Sequence, residues 1–183
     1  MNDDSTRLVT PVKRVAIVGP ECTGKTSLAQ QLAGVFTTEW VPEYARGYLD
    51  KLVLPYTEGD LLNIAQGQMR IEDEFYRDGN RVLICDTNLL VIKIWSEFVF
   101  GSCNPWILTE MTHRQYDLHL LTNIDIPWEE DPQREHPTKR KELYELYKRE
   151  LDVQQRPYIE ISGDKTERLA RATEAIHKLL ANG

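Results

Sequence analysis

Cysteine is scarce in these 183 residues. Cys22, Cys85 and Cys103 are odd in number and contain no C-x-x-C pair, which speaks against a disulfide framework and against a structural zinc site. A reduced, cytoplasmic chain is the expectation. Long apolar runs are missing too, and none approaches the ~20 residues that span a bilayer. The opening Met1 to Pro11 is polar, with Asp3 and Asp4 and no apolar centre, so it does not read as a signal peptide. Positive charge is in deficit, with 22 Lys and Arg against 29 Asp and Glu and a net charge of −7. That balance argues against duplex nucleic acid or a membrane surface as the main partner. Repeats, low-complexity tracts and linkers are absent. The length suits one α/β domain, 13–183, behind a flexible leader, 1–12.

What is present centres on Val15-Ala-Ile-Val-Gly-Pro-Glu-Cys-Thr-Gly-Lys-Thr-Ser27. A short apolar run stops at Gly19, gives way to Gly-x-x-x-x-Gly-Lys-Thr, and is followed by a helical pattern through Leu28, Ala29, Leu32 and Ala33. Strand, glycine-bounded loop and helix are the setting of a phosphate-binding P-loop. Backbone N–H groups of Gly19, Glu21, Cys22, Thr23, Gly24, Lys25, Thr26 and Ser27 would surround the phosphates, helped by the positive end of the helix. Lys25 would reach the β- and γ-phosphates, and the Thr26 hydroxyl would hold Mg²⁺. The chain is therefore expected to bind ATP or another nucleoside triphosphate.

Taken in order, the pattern predicts strands at Lys13–Val18, Thr38–Pro42, Arg81–Cys85, Tyr116–Leu121 and Pro157–Ile161. Helices are predicted at Lys25–Val35, from Glu43 towards Leu49, from a Thr57 cap to Arg77 with Asp78-Gly79 as its stop, and at Leu89–Phe100. Trp106–Arg114, Lys139–Leu151 and a last helix opened by Ser162-Gly-Asp164 complete the series. Strands alternating with helices imply a parallel sheet covered on both faces. The expected fold is a nucleotide-kinase-like core, five strands in order 2-3-1-4-5. The proline-rich segment Ile126–Pro137 is expected to be a lid loop.

Functional groups in such a sheet gather at the carboxyl ends of the strands. Asp86 ends an apolar strand and reads as an Mg²⁺ ligand beside the P-loop, or else, with Thr87, as a helix N-cap. Glu43 ends the second strand. It could accept a substrate hydroxyl's proton, or be an ordinary acid in a helix's first turn, and spacing leaves both open. Arg46 could pair with Glu43 or with substrate. Gln68 lies on the stripe Leu61, Ile64, Ile71 and Phe75, so its amide either caps a neighbouring backbone or touches a ligand. Arg134, in the lid, could bring positive charge to a transferring phosphoryl group. Trp95, Phe98, Phe100 and Trp106 read as core, and the four histidines as structural or surface residues.

The set Gly-Pro-Glu-Cys-Thr-Gly-Lys-Thr, Glu43-Tyr-Ala-Arg46, Ile64-Ala-Gln-Gly-Gln68, Asp86-Thr87 and Pro127-Trp-x-x-Asp-x-x-Arg134 resembles the ribosylnicotinamide kinase domain of NadR-type proteins over Lys13 to Leu180. The P-loop is widely shared, and the lid motif together with Glu-Tyr-x-Arg is the specific part. The resemblance implies ATP- and Mg²⁺-dependent phosphorylation of nicotinamide riboside, with Lys25, Glu43, Asp86 and Arg134 as catalytic groups. It puts Glu43, Tyr44, Arg46, Gln68, Asp86 and Trp128 on the substrate side, and Thr26 and Asp86 on the metal. Pro42 and Ile71 stand where it implies aromatics, and the length leaves no room for the adenylyltransferase domain that NadR proteins carry. The other readings are a kinase for a different nucleoside or nucleotide, and a regulatory ATPase switch.

Overall fold

The computed structural model describes residues 11–77 and 81–182. The Asp78-Gly79 stop and most of the leader lie outside them. Five parallel strands, β1 (Lys13–Val18), β2 (Trp40–Val41), β3 (Val82–Asp86), β4 (Leu118–Thr122) and β5 (Tyr158–Ile161), form one sheet in the order β2-β3-β1-β4-β5. The expected order and parallel sense are both present. Among the described residues, α1 (Lys25–Phe36), α2 (Tyr44–Leu49), α3 (Glu58–Arg77), α4 (Leu89–Phe100), α5 (Pro105–His113) and α6 (Arg140–Val153) lie between the strands, and α7 (Lys165–Ala181) follows β5.

Side-chain alternation along the strands builds two separate cores, because successive residues face opposite sides of a sheet. Val15 and Ile17 of β1 pack with Leu28 and Leu32 of α1 and Ala172 and Ile176 of α7. Ala16 and Val18 face the other way, against Leu90 and Ile94 of α4 and Leu143, Tyr147 and Leu151 of α6. A third cluster joins α2, α3, α4 and α5 through Ala45, Leu61, Ile64, Leu89 and Ile107. The helix starts follow their caps. Thr57 and Asp60 exchange bonds at α3, with Thr57 N to Asp60 Oδ2 at 2.8 Å and Asp60 N to Thr57 Oγ1 at 3.3 Å. Asp164 and Glu167 form a full capping box at α7.

The boundaries differ from expectation for physical reasons. β2 is only two residues long, since Pro42 has no N–H to give to the sheet. β4 begins at Leu118, because Tyr116 and Asp117 turn into polar contacts: Tyr116 OH donates to Glu72 over 2.6 Å, and Asp117 accepts from Arg14 N over 2.9 Å. On α6, Leu143, Tyr144, Tyr147 and Leu151 are buried, and Leu146 packs half-buried against them. The aromatic group expected in the core divides, with Trp95 and Phe98 half-buried and Phe100 and Trp106 exposed. No helix among the described residues is long and apolar enough to cross a membrane.

Candidate functional site

β1 and α1 are joined by the loop Gly19–Gly24. Gly19 has φ +142°, and a Cβ there would lie 2.5 Å from Thr122 Oγ1 and 2.8 Å from the Thr122 carbonyl oxygen. Only glycine allows that approach to β4. Thr23 Oγ1 donates to the Pro20 carbonyl over 2.8 Å, closing the loop on itself. Lys25 Nζ arches back over the loop to the carbonyls of Gly19 (3.0 Å) and Pro20 (2.8 Å). α1 begins without a side-chain cap and without an acid in its first turn. Its N-terminal N–H groups thus face the concave side of the loop, as an anion site requires.

Asp86, at the end of β3, lies beside Ile17 of β1 in the sheet register. Thr26 Oγ1 donates to Asp86 Oδ2 over 2.6 Å, and Asp86 Oδ1 is buried with no partner. Burial first, then the Glu43 carboxylate, push the Asp86 acid up to about 6, against the opposing pull of Thr26 and Lys25. A hydroxyl and an unsatisfied buried carboxylate oxygen beside an anion loop are a donor set that fits Mg²⁺. No group of three or more acidic, His or Cys ligands occurs among the described residues, so the rest of such an ion's shell would come from phosphates and water. The alternative N-cap role passes to Asn88, whose side chain accepts from Leu90 N over 3.0 Å. Between the two, Thr87 holds φ +79°, a strained value for a β-branched residue.

A cavity of about 400 Å³ extends from the P-loop past Glu43 and Arg46. Its apolar wall comes from Trp95 and Phe98 of α4 and Leu143 and Tyr147 of α6. Burial raises the Tyr147 phenol, so it stays protonated. Glu43 is the N-cap residue of α2 yet makes no side-chain capping bond, which leaves its carboxylate on the cavity wall.

The lid, residues 123–139, closes the cavity with Glu129, Gln133, Arg134 and His136. It is fastened to the P-loop: the Glu21 carboxylate accepts from Glu135 N (3.1 Å) and His136 N (3.0 Å), and Arg140 Nη1 donates to the Cys22 carbonyl (3.2 Å). Arg134 lines the cavity and donates to the Glu129 carbonyl over 2.5 Å. Arg46 pairs with Asp131 of the lid at 3.1 Å, rather than with Glu43.

Three residues expected on the substrate side stand off the cavity wall. Gln68 is fully buried, and its amide serves backbone: Oε1 accepts from Tyr44 N (2.8 Å) and Nε2 donates to the Pro42 carbonyl (3.2 Å). The Tyr44 ring packs on Gly67 of α3 and is not on the cavity wall. Trp128 is likewise off the wall, bonded to Glu130 and lying under Arg140. Sequence reasoning also missed His136, which lines the cavity, and Arg168, which is buried and reaches the P-loop. Arg168 was detectable, since Arg168, Ala172 and Ile176 share one face at a spacing of four. Nothing local marks His136.

A family profile described as an AAA domain matches residues 14–168. The trifunctional NAD biosynthesis/regulator protein NadR of Escherichia coli (strain K12) is 26% identical over 178 residues, which are 92% of this chain and 43% of that protein. The chain thus spans less than half the length of that relative. A crystal structure of NadR protein in complex with NR superimposes with a TM-score of 0.82 at 21% identity, covering 93% of this chain and 51% of that one. The deoxyadenosine kinase of M. mycoides with bound dCTP follows at TM-score 0.55 and 10% identity, covering 90% and 99%. These two likenesses establish the fold as that of P-loop kinases. With its Gly19–Thr26 phosphate loop and the match over residues 14–168, the chain belongs to the AAA domain family and is a NadR-like P-loop protein.

Proposed function

We propose that this chain transfers the γ-phosphoryl group of Mg·ATP to the 5′-hydroxyl of nicotinamide riboside, giving nicotinamide mononucleotide and ADP. The observation that carries the reading is the single cavity that joins the P-loop to the Glu43 carboxylate and to the aromatic wall of Trp95, Phe98 and Tyr147. A flat cationic ring gains from aromatic faces and from nearby carboxylates, and nicotinamide riboside carries such a ring. The NadR neighbour solved with NR supports the same acceptor.

The roles follow from position. The loop N–H groups and Lys25 hold the β- and γ-phosphates. Thr26 and Asp86 would hold Mg²⁺, which when bound neutralises charge across the phosphate oxygens. With Asp86 occupied beside Thr26, Glu43 is the carboxylate free to orient the hydroxyl and take its proton. Arg134 faces the transferring group from the lid. The fastened lid excludes water, which would otherwise compete as acceptor. Because Arg46 is paired with Asp131, the acceptor side is better suited to an alcohol without a phosphate than to a phosphate ester.

The test is ADP release from Mg·ATP alone and with nicotinamide riboside, with the product identified by mass. Acceptor-dependent ADP with matching nicotinamide mononucleotide is the expected result. A response only to another nucleoside would replace the acceptor. Slow hydrolysis indifferent to every acceptor would make the chain an ATPase switch instead.

A further inference from the structure

We infer that Gln68 is a positioning residue that holds Glu43 in place by gripping the backbone on either side of it. The inference rests on the role given to Glu43 in the proposed reaction. Glu43 sits between an edge strand of two residues and a helix of six. Neither element is long enough to fix a carboxylate by itself. The Gln68 amide does so from α3: it accepts from the N–H that follows Glu43 and donates to the carbonyl that precedes it, at 2.8 and 3.2 Å. The Gln68 end of both bonds is fully buried. Desolvation makes each bond costly to leave unmade.

A second feature of the same helix points the same way. The neighbouring residue is Gly67, mid-helix, where a Cβ would overlap the Tyr44 ring. A glycine there weakens α3, and the geometry it permits is the seating of Tyr44 against the helix backbone. Two adjacent α3 positions are thus shaped to the Pro42–Tyr44 turn. One helical turn on, Glu72 is also fully buried and accepts from Tyr116 OH at 2.6 Å, with Arg114 3.5 Å away. That network fixes α3 against the opposite end of the sheet. The carboxylate of Glu43 is therefore referenced to the sheet through α3 and not through its own short elements.

The experiment compares Gln68→Met, Gln68→Glu and Gly67→Ala with wild type in acceptor-dependent turnover, each alone and in a Glu43→Gln background. Gln68→Met is expected to lower kcat by about 10- to 100-fold with the ATP KM held within about twofold. Gln68→Glu keeps the bond from Tyr44 N but not the donation to Pro42, and falls between. Gly67→Ala lowers kcat in the same way. In the Glu43→Gln background the Gln68→Met effect shrinks to about twofold or less, because its target is gone. Amide exchange at Tyr44 accelerates in Gln68→Met. A wild-type kcat in folded Gln68→Met, or an undiminished loss in the Glu43→Gln background, would overturn the inference. Should Gln68→Met not fold, the same criteria apply to Gln68→Glu. A wild-type chain that phosphorylates no alcohol would remove the reaction itself, a failure seen before any variant is compared.

Discussion

Arg168 Nη1 donates to the Thr23 carbonyl oxygen over 2.8 Å, so the last helix grips the phosphate loop by its backbone. The same guanidinium donates through Nε to the Gly163 carbonyl (2.8 Å) and through Nη2 to the Asn123 carbonyl (2.9 Å), and it also pairs with Asp125. One buried fork therefore joins the P-loop, the root of the lid and the loop before α7. Thr122, on the neighbouring strand, meets Thr23 Oγ1 at 2.7 Å from the other side.

Arg168→Lys keeps the charge but cannot span three carbonyls, because an ammonium lacks the planar fork. The variant is expected to lose about 2–4 kcal/mol of stability in denaturant titrations and to bind ATP at least tenfold more weakly by calorimetry. Unchanged ATP affinity would show that the P-loop keeps its shape without α7.

Glu21 fastens the lid through the N–H groups of Glu135 and His136. Glu21→Ala removes both acceptors, so the lid opens more often and admits water. The ratio of hydrolysis to acceptor phosphorylation is expected to rise several-fold, read as ADP formed per phosphorylated product. A constant ratio would mean that the remaining ties, such as Tyr56 OH to Glu135 at 2.6 Å, close the lid unaided.

Asp86→Asn tests the metal role. The amide preserves shape and can still accept from Thr26, but it removes the charge that would hold Mg²⁺. Affinity for Mg·ATP should fall by on the order of tenfold, while ATP binding in EDTA should be unchanged or tighter because a repelling carboxylate is gone. Equal losses in both conditions would assign Asp86 a structural part instead.

His119 predicts an acid limit on stability. Burial, and to a lesser degree Arg156, push its imidazole down to about 4, although Pro157 O accepts from the ring. The neutral form is the one that folds, and the unfolded chain takes up a proton at its ordinary pKa near 6.5. The His119 contribution is therefore full above about 6.5 and falls as the pH drops towards 4, by on the order of 3 kcal/mol, while the raised Asp86 acid pulls the other way over the same range. His119→Phe should therefore make Tm at pH 4, relative to pH 6.5, higher than in wild type. An unchanged difference between the two pH values would place the titration elsewhere.

Much of the architecture is local in origin and was legible for that reason. Gly19 to Thr26 specify a strand, an anion loop and a helix through backbone freedom and spacing alone. Apolar periodicity marks the strands and helices, and right-handed parallel crossovers then restrict the order of the sheet. The aromatics show where this stops. Trp95 and Phe98 occupy equally apolar surroundings in sequence to Leu90 and Ile94, yet the first pair is half-buried on the cavity wall and the second is buried in the sheet core.

The partners of polar groups followed a different rule. Gln68 could have touched a ligand, Arg46 could have met Glu43, and Asp86 could have capped α4. Their partners instead lie at Tyr44, at Asp131 and at Thr26. Periodicity tells which face of an element is buried, but a hydrogen bond also needs a partner at the right distance and angle. For Arg168 and Thr23 that partner is 145 residues away along the chain, and only the packing of α7 across the sheet brings the two together.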